Sequence, residues 1–207
     1  MLKIALPKGR LGEKVYSFLA KAGYGCAEFN SDSRKLIFCD EKNGVSYFWV
    51  KPADVPVYVE LGAAHLGVAG KDVLDESGAD VYELSDLNIG KCKICVAAKE
   101  GFKDDTSKPL RVATKFVNSA QKYFSSLGRE VKIIKLNGSI ELAPVLGISD
   151  VIFDIVETGA TLKENNLKIV AEVSSVSARL FANKTAYKFS GAEITALTRK
   201  LEELKND

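Results

Sequence analysis

Asp150-Val151-Ile152-Phe153-Asp154-Ile155-Val156-Glu157-Thr158-Gly159-Ala160-Thr161-Leu162 is the stretch on which the fold turns. Its apolar, β-branched opening reads as a buried strand, Val151–Ile155, and a short helix is predicted to begin near Thr161. A strand running through a tight turn into a helix is the repeating unit of α/β proteins. Gly159 lets the turn close without a Cβ. The amides of Thr158, Gly159, Ala160 and Thr161 can then point at one concavity, with two threonine hydroxyls as further donors, which makes a phosphate cradle. Asp154 and Glu157 cannot bind phosphate directly, but they can accept hydrogen bonds from ribose hydroxyls or hold a magnesium ion. Phosphate donors beside carboxylates suit a sugar phosphate. A plain strand-to-helix turn with solvated acids fits the same letters, and this segment alone leaves both readings open.

Outward from this stretch, short β-rich runs alternate with helix-period segments. Strands are predicted at Lys3–Leu6, Leu36–Cys39, Val45–Val50, Leu66–Ala69, Lys93–Ala98, Arg111–Thr114, Val131–Lys135, Leu167–Val173 and Ala178–Ala182. Helices are predicted at Gly12–Ala22, Val55–Leu61, Val117–Leu127, Ile140–Val145 and Ala192–Leu204. Asn43-Gly44 reads as a hairpin turn. Ser190-Gly191-Ala192-Glu193 is a capping-box pattern, and Ile194, Leu197, Leu201 and Leu204 then share one helical face, for core or interface packing. The loop-like Lys99–Pro109 stretch is a candidate crossing between two lobes. The alternation implies an α/β protein with mainly parallel sheets. Ligands in such sheets sit beyond the carboxyl ends of the strands, so chemistry is sought there.

Charge and composition remove several function classes. The 29 basic and 27 acidic side chains leave a net charge of +2, which argues against bulk nucleic-acid or membrane-surface binding. No apolar run reaches the roughly 18–20 residues of a membrane span. The apolar run before Pro7 is too short for a signal peptide, so a cytoplasmic location is expected. Cys92 and Cys95 are the one close pair among four cysteines. Their odd spacing in a strand places the thiols on opposite faces, against a zinc or redox site. His65 is the sole histidine, which speaks against Ser–His–Asp or Cys–His catalysis.

Two further segments carry positive charge or glycine at a strand end. In Leu6-Pro7-Lys8-Gly9-Arg10-Leu11-Gly12, Lys8 and Arg10 offer charge near a helix start, suited to pyrophosphate, although two charges near glycine more commonly mark a basic surface loop. Arg34 and Lys51, each beside a strand end, can add to the same charge or be ordinary solvated residues. Gly67-Val68-Ala69-Gly70-Lys71-Asp72 lacks the Ser or Thr after Gly-Lys that a P-loop requires, and no GxGxxG is present. A P-loop kinase and a Rossmann dehydrogenase are therefore set aside.

In this order, the segments resemble the ATP phosphoribosyltransferase family. The resemblance runs from Leu6-Pro7-Lys8-Gly9-Arg10 through Pro52–Glu60, Gly62–Leu74, Arg111–Phe116 and Leu136–Pro144. It culminates in Asp154–Leu162. It implies a two-lobed arrangement like that of periplasmic binding proteins, with a cleft between the lobes. Residues 1–91 plus 174–207 would form lobe I, and 92–173 would form lobe II with the phosphate loop. The implied reaction moves phosphoribosyl from phosphoribosyl pyrophosphate (PRPP) to N1 of ATP, releasing pyrophosphate, in histidine biosynthesis. The implied PRPP site is Asp154, Glu157, Thr158, Gly159, Ala160 and Thr161. Lys8, Arg10, Arg34, Lys51 and Mg2+ would serve the leaving group, and Gly70, Asp72, Gly138, Ser139 and Glu141 would line the cleft.

The length matches the family's short form. That form implies a homo-oligomer and a separate regulatory subunit resembling a histidyl-tRNA synthetase. Two positions depart from the family pattern: Lys51 stands where Arg is usual, and His65 where Asp is usual. Lysine offers a point charge and not a fork, and His65 removes a carboxylate beside a strand expected at the cleft. A two-lobed binding module without catalysis, or a phosphoribosyltransferase for another base, are the competing readings.

Overall fold

Leu2, Ile4 and Leu6 alternate with Ala5 along the first strand, and all four are buried. A strand buried on both faces belongs inside a sheet covered on both sides, and the computed structural model, which describes residues 1–29 and 35–206, is built from two such sheets. In chain order the elements are β1 (Leu2–Pro7), α1 (Arg10–Leu19), β2 (Ile37–Asp40), β3 (Val45–Val50), α2 (Val55–Glu60), β4 (Leu66–Gly70), α3 (Lys71–Ser77) and β5 (Tyr82–Asp86). There follow β6 (Cys92–Lys99), β7 (Leu110–Thr114), α4 (Val117–Ser126), β8 (Val131–Lys135), α5 (Leu142–Val145), β9 (Val151–Val156), α6 (Ala160–Glu164) and β10 (Leu167–Val176). The chain ends with β11 (Ala178–Ala182), α7 (Lys184–Phe189) and α8 (Gly191–Asn206). Two compact units result, Met1–Gly90 with Ser177–Asp207, and Lys91–Val176.

The sheet of the first unit has the order β2-β3-β1-β4-β11-β5. One face packs Ile4, Leu6, Val15, Leu19, Tyr47, Val68, Leu180, Ile194, Leu197 and Leu201 into a single cluster, so α1 and α8 cover it. The other face packs Ala5, Val55, Val59, Ala69, Leu74 and Phe181 under α2 and α3. The second unit has the order β10-β6-β9-β7-β8. Val96, Val112, Phe116, Phe124 and Phe153 fill the face under α4, and Ala97, Ala113, Ile140, Ile152 and Leu162 the face under α5 and α6.

The α/β reading holds, with one revision: the sheets are mixed. Among the described residues β1 pairs in parallel with β3 and β4, and β7 with β8 and β9, while five pairings are antiparallel. The parallel trios are joined through helices, as parallel neighbours must be. The short loop after Asp40 forces β2 antiparallel to β3. Asn43-Gly44 is part of a four-residue connection, Glu41–Gly44, in which Gly44 takes a positive φ of 65° and its amide reaches the Glu41 carbonyl. The Lys99–Pro109 stretch does not cross between units. It joins β6 to β7 within the second, tied by the Arg129–Asp104 ion pair at 2.8 Å. The chain passes between units after β5 and again at Ser177, the single residue between β10 and β11.

The apolar stripe of α8 is core. Ile194, Leu197 and Leu201 are fully buried in the same cluster as β1 and β4. Leu197→Ala is expected to destabilise the protein by about 2–5 kcal/mol, the transfer and cavity cost of a truncated core leucine. Chemical denaturation would measure it, and an unchanged midpoint would contradict this packing.

Candidate active site

The carboxyl ends of β9, β7 and β8 carry the second unit's candidates. Val151, Ile152 and Phe153 are buried, and the strand surfaces at Asp154, whose side chain keeps 13% exposure. Glu157 and Thr158 are exposed beyond it. Gly159 adopts φ 76° and ψ 2°, the left-handed conformation, and caps α6. That conformation is costly for a residue with a Cβ. The Thr158 hydroxyl accepts from the Ala160 amide at 3.3 Å, and the Lys163 amide donates to the Gly159 carbonyl at 3.1 Å. The Ala160, Thr161 and Leu162 amides thus belong to a first helical turn, where no intrahelical acceptor precedes them. Leu162 is buried and anchors the turn to the sheet.

On β8 the chain leaves the sheet through Gly138 and Ser139, both exposed, into Glu141, half-buried at the start of α5. Ser139 has φ 49°, a strained setting for a residue other than glycine and one that recurs at ligand sites. On β7, Lys115 follows the strand directly. The register Ala113↔Ile152 sets Lys115 level with Asp154, and its ammonium lies 3.8 Å from Asp154 Oδ1. Lys115 is a residue that reading the sequence for sites missed, because its partner lies on a different strand. The only signal was its place just past a strand's carboxyl end.

In the first unit three parallel strands end together. Pro7 pairs with Val50 and Ala5 with Gly67, so Lys8, Lys51 and Gly70 stand level on adjacent strands, about 4.8 Å apart from one strand to the next. Lys8, Arg10 and Lys51 are exposed. The Lys8 amide donates to the Val50 carbonyl at 2.8 Å, and Gly9 makes the turn into α1 with φ 98°. Gly12 explains how α1 can start so close to β1. A Cβ there would lie 1.8 Å from the Pro7 carbonyl oxygen and 2.5 Å from the Trp49 ring. Gly70 caps α3, and the buried Asp72 carboxylate folds back over it, with Oδ1 2.1 Å from where a Gly70 Cβ would sit.

Other sequence candidates fall elsewhere. Arg34 lies outside the described residues. His65 directly precedes β4, at its amino end, and so stands beside that strand but away from the carboxyl ends described above. Its amide donates to the Lys3 carbonyl, and its Nδ1 accepts from the Lys3 amide at 3.4 Å. Burial, then the Lys3 and N-terminal charges, lower its pKa below the usual 6.5. Cys95 is buried and points to the opposite face of β6 from Cys92, which packs with the Ile94 and Val96 face. No group of three His, Cys, Asp or Glu side chains able to hold a metal ion occurs among the described residues.

The sequence model of the ATP phosphoribosyltransferase (HisG) family matches residues 51–203. The chain belongs to the ATP phosphoribosyltransferase family. A relative of that name from Brachyspira hyodysenteriae is 53% identical over 99% of this chain and 100% of its own. One from Clostridioides difficile is 49% identical over 99% of both. A chain of the solved ATP phosphoribosyl transferase (HisG:HisZ) complex from Thermotoga maritima superposes with a TM-score of 0.86 at 37% identity, covering 100% of each chain. The periplasmic aliphatic sulphonate binding protein SsuA from Escherichia coli superposes at 0.61 with 16% identity, over 98% of this chain and 71% of its own, which shows a shared fold alone. The two-lobed, binding-protein-like α/β class of the family is therefore the class of this chain.

The lowered His65 pKa has a definite consequence. A histidine whose folded pKa lies below its unfolded value binds fewer protons when folded, so stability is full above the unfolded value and falls as pH drops through it. Melting temperature should therefore decline as pH falls below about 6.5, and His65→Asn should shallow that decline. Parallel slopes for the two proteins in thermal melts across this range would contradict the assignment.

Proposed function

We propose that in this ATP phosphoribosyltransferase the turn after β9 grips PRPP by its ribose and 5′-phosphate, and that the lysines and arginines singled out in the sequence serve the leaving pyrophosphate. The reaction joins N1 of the adenine of ATP to C1 of the ribose and releases pyrophosphate, in histidine biosynthesis. The observation that carries the assignment of residues is the Thr158–Thr161 turn. It sets a left-handed glycine, two hydroxyls and the first amides of a helix directly behind two carboxylates at a strand's carboxyl end.

The adenine N1 lone pair is free near neutral pH, so the nucleophile needs no strong base. His65, at the amino end of β4, is not required to be one. The protein's task is alignment of N1, C1 and the departing oxygen, together with stabilisation of the charge that develops. Thr158, Gly159, Ala160 and Thr161 take the 5′-phosphate. Asp154 and Glu157 accept from ribose hydroxyls and face an electron-poor ribosyl carbon. Lys8, Arg10 and Lys51 act on the pyrophosphate, with Arg34 assigned to the same task from its sequence position. Gly70 and Asp72 shape the end of β4, and Gly138, Ser139 and Glu141 the end of β8, as substrate-contacting turns.

Mg2+ binds through one or two carboxylates plus substrate phosphates and does not need a cage of protein ligands. Glu157, exposed at the strand end, is the carboxylate suited to meet an ion carried on pyrophosphate. Asp154 is not, because Lys115 already faces it. When bound, the ion neutralises the leaving group.

Assembly with a regulatory subunit resembling a histidyl-tRNA synthetase, around a homo-oligomer of this chain, completes the reading. Its support is the full-length match to a chain from the Thermotoga maritima HisG:HisZ complex. A cytoplasmic location follows from the substrates, ATP and PRPP. No helix among the described residues is long and apolar enough to cross a membrane.

Incubation of the purified chain with ATP, PRPP and Mg2+ should release pyrophosphate and form phosphoribosyl-ATP, and failure to form both would overturn the reading. Thr161→Ala should weaken PRPP binding by about 1–3 kcal/mol, the value of a hydrogen bond to a charged phosphate, and calorimetry measures this directly. Lys51→Ala should lower kcat more than it weakens ATP binding, since the charge it meets develops in the transition state, while Lys51→Arg stays active. Wild-type turnover of the alanine variant under chemistry-limited conditions would refute that role.

A further inference from the structure

We infer that Lys115 is a positioning residue for PRPP, acting through Asp154 and not on the substrate itself. The inference rests on the reading of Asp154 as the acceptor for ribose hydroxyls and extends it to a residue outside that set.

Asp154 follows buried Phe153 toward the carboxyl end of the central strand β9, with 13% of its side chain exposed. A carboxylate so enclosed needs counter-charge as well as hydrogen bonds. On one flank, β6 pairs Cys95 with Asp154, and Cys95 is a buried thiol that burial keeps protonated to higher pH. On the other flank, β7 brings Lys115 level with Asp154, with 3.8 Å between Nζ and Oδ1. The same Oδ1 accepts from the Ile155 amide at 2.8 Å.

Lys115 is itself held in place. It follows Thr114, whose buried hydroxyl accepts from the Phe116 amide at 2.8 Å. Its ammonium stands 4.7 Å from the centroid of the Phe116 ring, a favourable cation–π distance. Phe116 is buried under α4. The Phe116 ring thus holds the half-exposed ammonium toward Asp154, whose Oδ1 is bonded by the Ile155 amide and faced by the Lys115 charge. A ribose hydroxyl then meets a carboxylate whose direction is already set, so less ordering is left to be done on binding.

The test is a double-mutant cycle in the full chain, read as KM for PRPP, KM for ATP and kcat. Lys115→Met should reduce kcat/KM for PRPP about ten-fold, the scale of one weakened charge-assisted hydrogen bond, and leave KM for ATP unchanged. Lys115→Arg should restore most of the loss. In an Asp154→Asn background, Lys115→Met should have no further effect. Lys115→Gln gives the same reading if the methionine variant does not fold. An unchanged kcat/KM for PRPP in folded Lys115→Met, or an equal loss in both backgrounds, overturns the inference, the second because Lys115 would then act on the substrate directly. If Asp154→Asn alone leaves PRPP kinetics intact, the ribose-hydroxyl reading of Asp154 falls instead.

Discussion

Parallel strand register is the constraint on which the candidate site depends. Parallel pairing of Pro7 with Val50 and of Ala5 with Gly67 brings three distant segments to one level at the carboxyl ends of the first sheet's strands. In the second sheet, the pairings of β7 with β8 and β9 do the same for Lys115, Asp154 and the loop after Lys135. A slip of one residue would turn every side chain on a strand to the other face. Burial on both faces, with Ile4 and Leu6 in one cluster and Ala5 in another, forbids that slip. Core packing and site geometry are therefore one specification.

Glycine tightens that specification at two places. Gly12 lets α1 approach β1 within a distance no Cβ permits, and this draws the Lys8–Arg10 turn against the end of the strand. Gly159 supplies the left-handed turn that aims the first amides of α6. Both sites thus rely on backbone direction at a strand end, with charged side chains added around it. That division of labour suits a reaction whose nucleophile is ready-made and whose difficulty is charge and alignment.

Much of this was legible in the sequence, for identifiable reasons. Val151–Ile155 is continuous and apolar, so β9 could be read, and strand-end logic then led to Asp154, Glu157 and the Thr-Gly-x-Thr turn. The stripe on α8 has an unmistakable helical period. Tyr82–Asp86, by contrast, mixes three polar residues into five and is a strand because β11 supplies its hydrogen bonds, as an edge strand's partner can. Lys71–Ser77 was obscured by the glycines before it, and Lys184–Phe189 has no fully buried residue to set a period. Beyond the β2–β3 hairpin, which Asn43-Gly44 signals, the antiparallel pairings were hidden because alternation of strands and helices fixes connection length and not direction for strands such as β6 and β10. Lys115 was hidden because only register relates it to Asp154.

The position of β11 carries a consequence for the order in which the molecule can be made. β11 lies between β4 and β5, so β5 has no partner in its sheet until residues beyond the entire second unit have been synthesised. The core under β1 is likewise open until Ile194, Leu197 and Leu201 arrive on the last helix. The second unit is a single continuous segment, 91–176, with all five of its strands inside it. During synthesis the second unit's residues are thus complete before those of the first. The inserted unit can fold while the first 90 residues wait, holding exposed strands that only the chain's last 31 residues can close.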